Sequence, residues 1–446
     1  MNKMYVFFTF LSLFLMKNTI AFCTTLSEAM QLAYKNSEQV YMKLAQKDMS
    51  SIDRDTAIMN LLPQVEMNFT HMNIHKSRME IGEQLQHQIT GMSSLVPAGG
   101  GEEEQNAKKT KYSQSASITA TASLSYYKTI PAIIASQKNV SANNYEYNEF
   151  LENFGLLFIQ KYMDVIYYSN AKEVYSKMSE TLEKKVKRMS IMNRYGTAKK
   201  DKVVVAEAQY YENEANKISM QSLLEKAKMD YKIMTGIEPE NLQVPELTNV
   251  ALPAKNKNDF IALVLSSNSK LLKTKSNLSS QKALMTAQSL NLLPDIFAIY
   301  SYNRSNVPRF MKYSYDYFGL GVSWTINGPD NRLNGARKSY KNYRIADLNK
   351  SLTEKEVEQD ASYSWDQYFA MVELVKATEK ALKASSDSLR EIKVSVATGT
   401  ATFVDEMDIE TQYLNANLNY LNAQKSLVLA YYKLISLTGV GHLPIR

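Results

Sequence analysis

The chain has 446 residues, of which 45% are hydrophobic and 22% charged, with a formal net charge of +7. A single cysteine excludes an intramolecular disulfide, and no internal apolar run reaches the roughly 18 residues of a transmembrane helix. The positive charge is interleaved with Glu and Asp along the chain, the pattern of a solvated helical surface rather than of a nucleic-acid-binding patch.

Residues 1–21 read as an export signal. Lys3 gives a short basic start, Met4 to Met16 is apolar apart from Thr9 and Ser12, and Thr19-Ile20-Ala21 offers small residues for cleavage before Phe22. Cys23 is a candidate for lipidation, against which Phe22 counts, because that position normally requires a small residue.

Leu26-Ser27-Glu28-Ala29 begins a helical stretch that reaches Leu61-Leu62-Pro63, and Lys257-Asn258-Asp259 begins another that reaches Leu292-Leu293-Pro294. The tetrapeptide Asn-Leu-Leu-Pro occurs at both ends, at Asn60 and at Asn291. After each corner the hydrophobic period changes from about 3.6 to 2, which marks strands. Val65, Met67 and Phe69 alternate with polar residues, as do Ile118, Ala120, Ala122, Leu124 and Tyr126, and later Leu320, Val322, Trp324 and Ile326. Alternation from Asp295 to Tyr302 is less regular. Two hairpins are predicted, at 64–127 and 295–327. The loop of the first, His75 to Lys111, is long and aperiodic, and that of the second, around Arg304 to Lys312, is short.

Long helical tracts follow, from about Ile133 to Asn193 and from Arg332 to Val396. Some sixty helical residues span on the order of 90 Å. Each tract ends at Gly-Thr-Ala: Gly196-Thr197-Ala198 and Gly399-Thr400-Ala401, 203 positions apart. A return helix leads from each turn to Thr-Gly, at Gly236 and Gly439. In the second return helix Val404, Met407, Thr411, Leu414, Leu418, Leu421, Lys425, Val428, Tyr432 and Ile435 keep 3-and-4 spacing, the seam of a coiled coil. The turns are therefore expected to join antiparallel coiled helices. The chain divides into a first repeat (22–240), a connector (241–256, with Pro245 and Pro253), a second repeat (257–441) and a tail (442–446).

Four amphipathic strands cannot close a membrane barrel, which needs at least eight. Open edges cannot face lipid, because unpaired backbone groups there cost several kcal/mol each. Strands from other copies must complete the barrel, and two or three chains supply eight or twelve.

These features together resemble the TolC-type outer-membrane efflux proteins over about Leu26 to Gly439. The Leu-Ser-Glu-Ala start, the Leu-Leu-Pro corners, Gly319-Leu320-Gly321-Val322-Ser323-Trp324 and the Gly-Thr-Ala turns carry the resemblance. It implies an α+β membrane protein: a homotrimer with four β-strands per chain in a 12-stranded outer-membrane barrel, continued by a long antiparallel coiled-coil α-helical barrel. It implies a place in the outer membrane of a Gram-negative bacterium, against its lipid, with a long periplasmic portion. A periplasmic adaptor would dock at the tip formed by Gly196, Thr197, Ala198, Gly399, Thr400 and Ala401, and an inner-membrane transporter would deliver drugs or proteins. Asp405 and Asp408 match the two aspartates that ring the family's entrance constriction, where six carboxylates would attract cations and repel one another. The gate-linking arginine and tyrosine of the family fall on Ala401 and Val396, and the opposing aspartate on Lys202, beside Asp201. Asp201 and Lys202 are therefore candidates for a different closing network.

Nothing suggests catalysis, a cofactor, a metal or nucleic acid. His71, His75, His87 and His442 show no ligand spacing, and no phosphate loop, nucleophile elbow or HExxH is present. The rival expectation is an exported structural or adhesive coiled-coil protein without channel activity, which would need no strands.

Overall fold

The structure is a computed structural model that describes residues 25–74, 111–245, 247, 252–307, 310–325 and 332–439. The export signal, Cys23, most of the first hairpin loop with His75 and His87, and His442 with the tail lie outside the described residues. In chain order the elements are helices α1 (Leu26–Asn36) and α2 (Glu38–Met59), strands β1 (Gln64–Ile74) and β2 (Lys111–Ser123), helices α3 (Tyr126–Arg194), α4 (Lys200–Thr235), α5 (Lys257–Ser267) and α6 (Ser269–Leu290), strands β3 (Asp295–Val307) and β4 (Phe310–Ser323), and helices α7 (Arg332–Ala397) and α8 (Phe403–Ser436). They form two compact units: residues 1–49, 141–276 and 348–446, and residues 50–140 and 277–347.

Each stretch expected as one helix before a Leu-Leu-Pro corner is two helices. The breaks fall at Ser37 and Asn268, both with extended backbone. Neither is glycine or proline, so hydrophobic periodicity runs across them unmarked. At Asn268 the side chain competes with the helix: Oδ1 accepts from the Leu271 N–H at 3.2 Å, and Nδ2 donates to the Leu437 carbonyl at 3.2 Å.

In the helical unit the core surrounds α3. Phe158, Ile159, Tyr162 and Met163 pack with Met30 and Ala33 of α1, Leu224 and Tyr231 of α4, and Val428 of α8. A second cluster joins Phe260 and Val264 of α5 to Val357, Ala361 and Trp365 of α7 and to Tyr431, Leu434 and Ile435 of α8. The seam of α8 was expected to face α7. Leu414 and Leu418 instead pack on Ala171, Val174, Met178 and Leu182 of α3. Periodicity reports that a face is buried, not which helix covers it.

Lys425, which interrupts that seam, is paired with Asp164 of α3 at 2.5 Å and lies over the rings of Tyr167 and Tyr168. Both charges are largely buried, so removing one strands the other. Asp164→Ala is expected to destabilise the helical unit by roughly 3 kcal/mol, whereas Asp164→Leu with Lys425→Met restores most of the loss. Denaturant unfolding of the three proteins measures this, and equal loss in the single and double variants contradicts it.

In the other unit the strands form one antiparallel sheet in the order β1-β2-β3-β4. The register puts Val65, Ala120, Tyr300 and Phe318 in one row and Met67, Ile118 and Tyr302 in the next. One face is thus largely apolar and exposed, with Met67, Phe69, Phe318, Leu320 and Val322 prominent, and is interrupted towards the hairpin loops by Asp316 opposite Tyr302 and by Arg304 and Ser314 in the row of Ala116. The opposite face carries Thr119 and Ser301, whose hydroxyls bond at 3.0 Å. The irregular alternation of β3 has its cause on this polar face. Phe297 and Ile299 stand opposite Gly321 and Gly319 of β4; the Phe297 ring occupies the space that a Cβ at Gly321 would enter, and Ile299 lies in van der Waals reach of one at Gly319. Aromatic cover of a strand glycine compensates for its missing side chain. Gly321→Val would overlap the Phe297 ring and is expected to cost roughly 1–3 kcal/mol. Co-substitution Phe297→Ala should recover folded sheet signal by circular dichroism; no recovery overturns the packing account.

The period-2 pattern extends to Tyr126, but β2 ends at Ser123 and Tyr126 already opens α3. Ser125 ends the strand: its hydroxyl accepts from the Ile296 N–H at 2.8 Å and donates to the Ile296 carbonyl. Pro131 is accommodated inside α3, which starts at Tyr126 rather than at the expected Ile133. The first turn is anchored by the Tyr127 hydroxyl on the Pro294 carbonyl and by Lys128 on the Leu293 carbonyl at 2.9 Å. Lys128 and Arg332 also bind Asp295, at 2.5 and 3.0 Å, and Trp324 Nε1 donates to Leu292 at 3.1 Å. The second Leu-Leu-Pro corner is therefore held by its carbonyls. The short second loop is shorter than expected: β3 runs to Val307 and β4 starts at Phe310.

Candidate functional site

The two Gly-Thr-Ala turns have one local mechanism. Gly196 and Gly399 take the left-handed backbone, φ 72° and 76°, which glycine adopts without steric penalty. The next threonine then folds back on the helix just ended. The Thr197 N–H and hydroxyl both donate to the Met192 carbonyl at 2.9 Å. The Thr400 N–H and hydroxyl donate to the Ser395 carbonyl at 2.8 and 3.0 Å. Glycine supplies the turn and threonine satisfies the last carbonyl.

Beyond the turn the copies differ. The α4 N-cap is Lys199, with no side-chain cap bond. The α8 N-cap is Thr402, which forms a capping box with Asp405. Asp405 Oδ2 accepts from the Thr402 N–H at 3.0 Å and from its hydroxyl at 2.6 Å, and the Asp405 N–H donates back at 3.2 Å. These bonds from Thr402 hold the Asp405 carboxyl below its ordinary value. Asp405 thus has a local role as a cap, which favours an acidic residue in the first helical turn.

Asp408 has a different partner. Its carboxylate meets the ammonium of Lys185 from α3, which also donates to Gln209 Oε1 of α4 at 3.1 Å. One turn away Thr181 donates to Glu410 Oε2 at 2.9 Å, and Arg188 lies over the Phe403 ring. Lys185 was not among the sequence candidates. Its signal was position: Met178, Leu182, Lys185 and Met189 keep 3-and-4 spacing, and all four are buried. Asp201 and Lys202 lie exposed in the first turn of α4. Among the described residues no ion pair within the chain joins Lys202 to Asp405 or Asp408.

Residues 260–440 match the model of a family described as outer membrane efflux protein. The resemblance to TolC-type efflux proteins read from the corners and turns therefore holds. The fold of the wider chain is similar to solved channels of that kind. It covers 94% of this chain and 87% of the Campylobacter jejuni CmeC outer membrane channel, at 12% identity and a TM-score of 0.76. For the Neisseria gonorrhoeae MtrE outer membrane channel in its open state the values are 94% and 90%, 14% and 0.73. For the outer membrane protein VceC of Vibrio cholerae they are 93% and 96%, 13% and 0.70. No curated protein matches the chain by sequence. The Gly-Thr-Ala turns lie between the helices of the long pairs α3–α4 and α7–α8, where Asp408 and Lys185 meet close to Asp405.

Proposed function

We propose that the chain is the outer-membrane channel of an export pathway, acting as a homotrimer and conducting rather than catalysing. The observation that carries this is the sheet. Among the described residues its edge strands β1 and β4 are unpaired on their outer sides, and its largely apolar face is exposed. Exposed edges invite pairing with another chain. Pairing β4 with β1 of the next copy, three times over, closes twelve strands and turns the apolar face to lipid. In this reading the long helices of three copies form an α-helical barrel in the periplasm. An exported coiled-coil protein would have no use for such a sheet.

In this reading an inner-membrane transporter and a periplasmic adaptor deliver the substrate, and the adaptor docks at Gly196, Thr197, Ala198, Gly399, Thr400 and Ala401. Asp405 and Asp408 of three copies ring the entrance. Asp201 and Lys202, exposed at the other tip, meet the neighbouring copy and take part in closing it. Light scattering on detergent-purified protein should give three copies per particle, and planar bilayers should record conductance. A monomer without conductance overturns the proposal. Deleting the gene and measuring drug susceptibility together with the secreted proteome identifies the substrate class.

A further inference from the structure

The charge at the entrance is not that of bare carboxylates. Asp408 is half exposed, with 51% of its side chain accessible, whereas the lysine behind it has 8%. An exposed anion backed by a buried cation presents a dipole rather than a net charge. The buried cation also joins three helices: it belongs to α3, bonds Gln209 of α4 and pairs with Asp408 of α8. Extraction of that ammonium from its partners leaves a desolvated charge, which is costly, so the link resists separation of α8 from the α3–α4 pair.

We propose that Lys185 is a specificity-determining residue of the channel entrance, which neutralises Asp408 in each copy and fastens the start of α8 to α3 and α4. The proposal rests on the channel reading above. With Lys185 in place, the cation preference of the entrance comes mainly from Asp405, which has only neutral partners in Thr402. Asp408 is a reserve of negative charge, expressed when the link to Lys185 opens. The entrance is therefore more cation-selective and wider when α8 is released than when it is held.

The test uses the full-length trimer in planar bilayers under a KCl gradient, read as reversal potential and single-channel conductance. Lys185→Met keeps the length of the side chain without its charge. It is expected to raise the potassium-to-chloride permeability ratio several-fold and to increase conductance. Asp408→Asn keeps an acceptor for Lys185 but exposes its charge, and should lower the ratio. The double variant should return near the wild-type ratio while keeping the larger conductance, and Lys185→Arg should behave as wild type. Folding is checked by the circular dichroism and trimer mass of each variant. Should Lys185→Met fail to assemble, the readout is a lowered ratio in Asp408→Asn beside a wild-type ratio in Lys185→Arg. A selective channel whose ratio is unchanged in Lys185→Met, or in Asp408→Asn where the former does not assemble, overturns the role of Lys185 and leaves the channel reading intact. Wild-type protein without conductance overturns the channel reading itself.

Discussion

Alanine at both Asp405 and Asp408 lowers the cation selectivity of the channel and relieves its block by multivalent cations. In the proposed trimer, threefold symmetry would gather both carboxylates of each copy at one constriction, where fixed charge determines which ions enter. The contribution of Asp405 has a pH dependence set by its cap. Thr402 holds the Asp405 carboxyl below its ordinary 3.8. A depressed folded value means that the bonded, ionised form is favoured at all pH above the ordinary value, and that its contribution is lost only as pH falls through the lower folded value. The cation preference left in an Asp408→Ala channel should therefore persist on acidification past the range where an ordinary aspartate protonates. Reversal potentials at stepped pH measure both effects. Single-channel behaviour identical to wild type in the Asp405→Ala, Asp408→Ala double variant removes the carboxylate ring from the account of this channel.

The charge difference between the tips was legible in the sequence, because Lys199 and Lys202 occupy the places of Thr402 and Asp405 in the other copy. Its physical meaning was not. Whether Asp405 faces water, a cap or a neighbouring chain depends on the rotamer of one side chain, and the Thr402 hydroxyl decides it. The elements were legible where a period of 2 or 3.6 ran for long enough, as in α8 and β4. They were misjudged where a polar side chain rather than glycine or proline ends an element, as at Ser37, Ser125 and Asn268. The irregular β3 reflects a cross-strand relation to Gly319 and Gly321, which no single strand displays. Lys185 escaped attention because one lysine in a helical tract is ordinarily solvated. Only its place among Met178, Leu182 and Met189 marks it as buried, and only the fold brings Asp408, 223 residues away, to meet it.

Aspartate at both Tyr211 and Ile218 abolishes the trimer and its conductance while leaving the protomer folded. Val204, Tyr211 and Ile218 recur at seven-residue intervals along α4, and Met229 and Ile233 extend the apolar surface towards its end, all of them exposed. This stripe is opposite in character to the buried face of α4, where Ala206, Leu224, Ala227 and Tyr231 lie. Helix α7 carries the complement: Ala370, Leu374, Ala377, Ala381 and Ala384 are exposed at 3-and-4 spacing. Large side chains on one helix and small ones on another are what knobs and holes require. The faces differ, so in the proposed trimer they would meet head-to-tail, a contact that forms a ring where the rotation closes. Tyr211 is 68% and Ile218 67% exposed in the single chain. For a protein acting alone, polar substitution at such positions changes stability by no more than about 0.5 kcal/mol. In the ring, the same substitutions bury six unpaired carboxylates between helices. The two outcomes are far apart: a monomer with native helix content by circular dichroism supports the ring, and an intact conducting trimer excludes this seam from it.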